Sequence, residues 1–372
     1  MRFAVDVKAI LGLLIVAAWL SCGKDQGSNP GQSTPSLSAL PRHASLDTLD
    51  FRARGLAWLD DSTVAVIDPD DQQIVRLGVQ SGARERAAGK GGGPGELEGA
   101  IMIIDDDAGG AIVADMSHKR VSHFDADLSF VRSATVPGLP LALLGRDGDR
   151  VDALWMEFEL GDRPGFLPVK GVIDLESGSA QRLFSLYEAE GALNRPEEDN
   201  PFSPPLFSTA LRPDGSLLAA RSLEYRIVVF EPDGTVRSSF GRPDLPPRHL
   251  DDEERAAERE RSQQAAARGG PPPPGMGGML EESLEAPQPF FGPDAFALDP
   301  RGRLWVITEG GAADSTDVDV FAADGTYLGA VRLPDRVQSL AFRGDRLAAL
   351  VQRTAEAVEG IAGIDLYSLD GS

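Results

Sequence analysis

One cysteine, Cys22, stands in a chain of 372 residues, so no intrachain disulfide framework holds this protein together. Basic residues are also scarce: 36 Lys and Arg against 58 Asp and Glu give a formal net charge of -22. Without Lys/Arg clusters to neutralise phosphates, nucleic acid is excluded as a partner, and an anionic membrane surface repels the chain. Long apolar runs are missing. The run at Ala9–Leu20 holds about twelve residues, short of the ~20 that span a bilayer. Ser, His and Asp occur without a nucleophile-elbow pattern. What remains is 42% hydrophobic and 25% charged residues, the ordinary material of a folded protein with a sizeable core.

The short apolar run is informative by its flanks. Arg2 and Lys8 precede or open it, and Trp19-Leu20-Ser21-Cys22-Gly23 follows. This arrangement resembles a bacterial lipoprotein signal, in which the cysteine after a small residue is lipidated and becomes the new N-terminus. Ser21 fits that pattern, whereas Trp19 stands where an aliphatic residue is usual. The rival reading is a plain secretory signal with an incidental cysteine. Residues 1–22 are therefore expected to be a lipoprotein signal peptide with Cys22 as the lipidation site, and residues 23–45 a flexible tether rich in Gly, Ser and Pro.

Beyond residue 45 the chain repeats. One series of tight turns separates a first apolar run from a second, as in Leu56-Ala57-Trp58 through Asp60-Asp61 to Val64-Ala65-Val66. A second series follows a third strand: Ile74–Leu77, Val121–Phe124, Val172–Leu175, Ile227–Phe230, Val318–Phe321 and Ile364–Tyr367. Its turns centre near Gly82, Leu128, Gly178, Gly234, Gly325 and Gly371, about 46, 50, 56, 91 and 46 residues apart. The outlier contains an insertion, residues 244–286, with a charged segment Asp251–Arg268 and a Gly/Pro run Gly269–Gly278. Four short strands per repeat at this period predict an all-β, six-bladed β-propeller over residues 46–372. Fourth strands follow five of the turns, but the sixth repeat ends at its turn. The segment Leu46–Phe51 is the unclaimed candidate for its outer strand, so an N-terminal strand is expected to close the last blade.

The stretch Gly89–Leu97 (G-K-G-G-G-P-G-E-L) looks at first like a phosphate cradle. A P-loop needs Lys followed by Ser or Thr at the mouth of a helix, and here Gly91 follows Lys90, with Pro94 and a β-run beyond. It reads as a connector between blades one and two, its glycines supplying positive φ. The elements Gly91, Gly93-Pro94-Gly95-Glu96-Leu97, Val113-Ala114-Asp115 and Arg120-Val121 with Phe124-Asp125 resemble the NHL-type repeat of six-bladed propellers, and more closely bacterial lipoproteins of that architecture. Leu97 replaces the more usual Phe, and the full motif occurs once.

The long connections, Gly89–Gly99, Phe158–Lys170, Tyr187–Phe207, Arg242–Phe291, Glu309–Asp317 and Arg353–Gly363, all fall on one face, where binding residues are expected. Second strands end there in Asp68, Asp115, Glu157 and Glu309, and first strands enter near Glu98 and Asp294. Such an acidic crown suits Ca2+ or acid–base chemistry. The plainer reading is that these carboxylates cap backbone N–H groups in turns. His43, His118, His123 and His249 show no metal-binding spacing. No cofactor other than Ca2+ and no catalytic residue is indicated. The expectation is a monomeric binding or scaffold module of the cell envelope, held to the membrane by its lipid, with an unidentified envelope protein or small ligand as partner. Gly23 after the cysteine favours the outer membrane. The rival is a metal-dependent hydrolase or lyase that uses the crown.

Overall fold

A computed structural model describes residues 40–369 apart from 47–48, 160–164, 194–206, 253, 257–258, 261–262, 264–283, 310–314 and 356–357. Cys22, most of the tether and the Gly/Pro run of the insertion lie outside the described residues. Twenty-four strands form six four-stranded antiparallel sheets, the blades of a β-propeller.

Blade one contains β2 (Arg54–Trp58), β3 (Thr63–Asp68), β4 (Gln73–Gly78) and β5 (Arg84–Ala87); blade two contains β6 (Ala100–Asp105), β7 (Ala111–Asp115), β8 (Arg120–Phe124) and β9 (Phe130–Thr135). Blades three, four and five run from β10 (Leu139–Asp147) to β13 (Ser179–Ser185), from β14 (Phe207–Leu211) to β17 (Val236–Gly241), and from β18 (Phe296–Leu298) to β21 (Tyr327–Pro334). Blade six is built from β22 (Arg336–Arg343), β23 (Arg346–Ala355), β24 (Val358–Ser368) and, at its outer edge, the N-terminal β1 (Arg42–Leu46). Five of the six predicted third strands lie within observed ones, and Val172–Leu175 overruns β12 by one residue, Leu175.

The turn signals have a conformational cause. Gly82, Leu128, Gly178, Gly234 and Gly325 all take positive φ, as the tight turns between third and fourth strands require. Gly325 also meets a steric demand, because a Cβ there would lie 2.6 Å from the Phe240 ring of the preceding blade. Middle strands read as apolar runs because each sheet is buried on both faces: β7 and β19 (Leu304–Ile307) are buried at every residue. The core fills the wedges between neighbouring blades, with Trp305, Phe291 and Phe321 fully buried among blades four, five and six. A polar staple crosses the wedge between blades four and five. Tyr225 and Tyr327 both donate to Asp319, at 2.5 and 2.9 Å, and burial pushes that carboxyl upward.

Three local expectations are corrected. The closing strand is Arg42–Leu46, four residues earlier than Leu46–Phe51, because the register that seats Arg42, Ser45 and Leu46 on β24 satisfies Asp365; the following Leu49 N–H still donates to Ala362 O at 2.8 Å. Phe158–Lys170 and Arg353–Gly363 are mainly extended hairpins, in which β11 (Arg150–Glu159) pairs with β12 (Gly165–Asp174) as far as Glu159↔Gly165, and β23 with β24 as far as Ala355↔Val358. In the glycine stretch only Gly95 has positive φ; Gly91 and Gly93 serve close approach instead, since a Cβ would lie 2.2 and 2.9 Å from Glu96 Oε2. Gly93 N–H donates to that oxygen at 2.7 Å, and the loop is shut by Gly91 N–H donating to Leu97 O at 2.9 Å and Leu97 N–H donating to Gly89 O at 2.7 Å.

Candidate functional site

The innermost strand of each blade enters from the face that carries the long connections. Four of them begin with a register shift, between Arg54 and Ala57, Ala100 and Met102, Pro140 and Ala142, and Val337 and Ser339. A bulge bends the strand and re-aims a side chain. The residues at these bulges, Gly55, Ile101, Leu141 and Gln338, all line one cavity of about 460 Å3 at the channel mouth. That volume falls in the range of small-molecule sites.

The wall mixes apolar and charged groups, with Ile307, Val337 and Leu350 among the charged residues and Glu98 and Ser117 beside the apolar ones. Blades two and three supply Ile101, Met102, Met116, Leu139 and Leu141. Blades one, five and six supply Arg54, Asp294, Glu309, Arg336, Gln338 and Gln352. Arg336 Nη2 lies 3.5 Å from Glu309 Oε2, so those two charges are already matched. Arg52 also reaches the cavity, while its guanidinium bonds Asp70 with two nitrogens.

Asp294 is different. Its carboxylate makes no hydrogen bond or ion pair among the described residues, and the one charge that acts on it is the Arg54 guanidinium. The side chain is open to the cavity, yet protein surrounds it. That desolvation pushes the carboxyl up to about 6, with Arg54 pulling the other way. Arg54 is itself held below its ordinary value by burial and by Arg52.

The six carboxylates singled out from sequence divide evenly. Glu98, Asp294 and Glu309 line the cavity. Asp68, Asp115 and Glu157 do not, and each has a structural role. Asp68 Oδ1 accepts from the N–H groups of Asp70 and Asp71, both at 3.1 Å, and its other oxygen from Arg86 at 2.8 Å. Glu157 accepts from the Trp155 indole at 2.8 Å and from Arg182 at 3.3 Å. Asp115 is fully buried and accepts from the backbone of Glu98, Gly99 and His118 at 3.1, 3.1 and 3.2 Å. Asp68 and Asp115 thus cap backbone N–H groups, while Glu157 ties two side chains together. Among the described residues, no three His, Cys, Asp or Glu side chains gather as a metal-binding set.

His118 is the residue that sequence reasoning undervalued. Its Nδ1 lies 2.8 Å from Asp115 Oδ2 and its Nε2 3.3 Å from Glu98 Oε2. A buried carboxylate thus orients an imidazole whose far nitrogen faces a cavity-lining glutamate. The legible signal was the Asp115-x-x-His118 spacing at the end of a strand, where the Asp side chain bonds the backbone three residues on.

No family profile and no curated sequence matches the chain. Among solved structures, a member of the DUF4221 family from Bacteroides vulgatus superposes with a TM-score of 0.53 at 10% identity, over 88% of this chain and 98% of its own. A structural genomics protein of unknown function from Bacteroides thetaiotaomicron gives 0.52 at 10% identity, over 93% of this chain and 73% of its own. The calcium-binding protein regucalcin from Agrobacterium tumefaciens gives 0.49 at 12% identity, over 89% and 97%. The likeness is one of fold alone.

Proposed function

We propose that this protein is a lipid-anchored, monomeric six-bladed propeller of the bacterial envelope that binds a small ligand in its channel-mouth cavity. The observation that carries the binding reading is Asp294, a carboxylate facing a cavity of about 460 Å3 without a hydrogen-bond partner among the described residues. Asp294 is exposed to the cavity, so a ligand donor that enters can take the place of the water on its carboxylate. The lipoprotein-like signal around Cys22 and the NHL-like segment Gly91–Asp125 support the envelope assignment, and Gly23 favours the outer membrane. The test is ligand-observed NMR with a library of small amines, acids and amino acids against the wild type and a Leu141→Trp variant that fills the cavity. Signals lost in the filled variant support the reading. A library that meets no binder sinks it.

A second reading, hydrolase or lyase, draws on the Asp115–His118–Glu98 arrangement, which has the parts of an acid–base pair. Calcium titration by calorimetry separates the two. Stoichiometric binding that disappears in Glu98→Gln favours the metal-dependent enzyme, and its absence favours the binding module.

A further inference from the structure

The charged groups that line the cavity are matched, with one exception. Arg336 has Glu309 at 3.5 Å, Arg52 is held by Asp70, and Arg54 has an interaction of its own. Glu98 has the His118 imidazole at 3.3 Å. Asp294 makes no hydrogen bond and no ion pair among the described residues, so the partner this wall lacks is a positive one. The net charge of -22 acts in the same sense, since a chain so acidic draws cations toward a concave site and turns anions away. Arg54 opposes a cation here. No ion pair joins it to Asp294, however, so an ammonium in hydrogen-bond contact stands closer to the carboxylate than the guanidinium does.

A bare metal ion does not complete this wall. Ca2+ takes roughly six to eight oxygen ligands, and among the described residues no three His, Cys, Asp or Glu side chains gather to supply them. The space, about 460 Å3, is also larger than an ion fills. Apolar groups are spread through its lining: Ile307, Val337 and Leu350 stand among the charged residues, and Ile101, Met116 and Leu141 continue the wall. An alkyl group that covers any of them gains by leaving water, whichever way it lies from the carboxylate. We infer that the ligand is a small organic monocation, an apolar body carrying one ammonium group that binds Asp294. The inference rests on the small-ligand reading of the cavity and names its chemical class.

Four probes decide it: isopentylamine, the uncharged isopentanol, the anionic isopentanoate, and methylamine without the apolar body. Calorimetry on the mature protein is expected to show isopentylamine bound at least about tenfold more tightly than each of the others. Asp294→Asn should level the amine with the alcohol, with thermal melting to verify that the variant is folded. Acid gives a second readout. A carboxyl that titrates at about 6 is about one-tenth ionised at pH 5, so wild type should hold the amine about tenfold less tightly there than at pH 7.5. Glu98, His118 and Glu309 stay in place in Asp294→Asn, so a pH dependence that survives the substitution belongs to them and contradicts the inference. If isopentanol or isopentanoate binds as well as the amine, the cation class is wrong while the cavity remains a ligand site. If methylamine equals isopentylamine, the apolar lining has no role and the inference also fails. If none of the four binds, the class is again wrong, and the broader fragment library judges the cavity itself.

Discussion

Ser45 donates its hydroxyl hydrogen to Asp365 Oδ1 at 2.8 Å, across 320 residues of sequence. The same carboxylate is fully buried and also receives Arg353 at 2.6 Å, Arg42 at 3.3 Å and Tyr367 at 3.3 Å. Two of these four donors come from β1, so one side chain gathers both ends of the chain. Trp58 reinforces the join by donating its indole N–H to Ala341 O of blade six at 3.1 Å.

Ring closure is therefore testable by truncation. A protein beginning at residue 40 should melt within a degree or two of one beginning at residue 23, since both keep β1. One beginning at residue 47 exposes the edge of β24 and should melt far lower and aggregate. Asp365→Ala, which removes the buried acceptor shared by Ser45, Arg353 and the exposed Arg42, should cost about 2 kcal/mol in urea denaturation, and Ser45→Ala about 1 kcal/mol. Equal melting of all three truncations would mean that β1 is not the clasp.

Asp115 and His118 should separate in their effects. Asp115→Ala leaves three backbone N–H groups without their acceptor, at a cost of about 3 kcal/mol. His118→Ala keeps those bonds and should cost less than about 1 kcal/mol. Hydrogen exchange at the Glu98 and Gly99 amides should quicken only in the Asp115 variant. Equal exchange in both variants would contradict the capping role.

Stability should fall with pH because of Asp294. The folded carboxyl titrates at about 6, above its ordinary 3.8, so between those values the native state holds a proton that the unfolded chain has released. The stabilisation is complete below pH 3.8 and is lost as pH rises through 6. Asp294→Asn removes this dependence, so the variant should gain on the order of 1 kcal/mol over wild type between pH 4 and pH 7.5, less than the full linkage value because water reaches the group. Parallel melting curves across that range would show that the carboxyl titrates normally.

Cys22→Ala should move the protein from the membrane fraction to the soluble envelope fraction, without changing its melting temperature. Mass spectrometry of the wild type should find the mature N-terminus at Cys22, carrying acyl chains. An unmodified N-terminus, or cleavage elsewhere, would refute the anchor.

The blade count was readable because propeller turns constrain φ: Gly82, Gly178, Gly234 and Gly325 mark their positions by residue type, and even Leu128 falls at the expected interval. Strand identity was readable for the same reason that the middle strands are buried on both faces. The site was half readable. Carboxylates at strand ends are chosen both for capping and for lining a mouth, and only the direction of the side chain separates Asp115 from Asp294. That direction leaves no mark on residue type, and neither do the bulges at Ile101 and Leu141 that shape the mouth. The apolar part of the wall escaped notice altogether, since Met102 and Leu139 resemble core residues in sequence. The position of β1 was missed by four residues because polar Arg42 and Ser45 do not alternate like a buried strand; their partner is a buried carboxylate rather than hydrocarbon.

Strand β1 also gives the molecule poles. Arg42 is opposite Tyr367, and Pro41 O accepts from Ser368 N–H at 3.4 Å, at the end of blade six where the short turns lie. The described chain thus begins at the blunt pole, while the cavity opens at the other. Strand β1 therefore joins the ring without crossing the rim of the cavity.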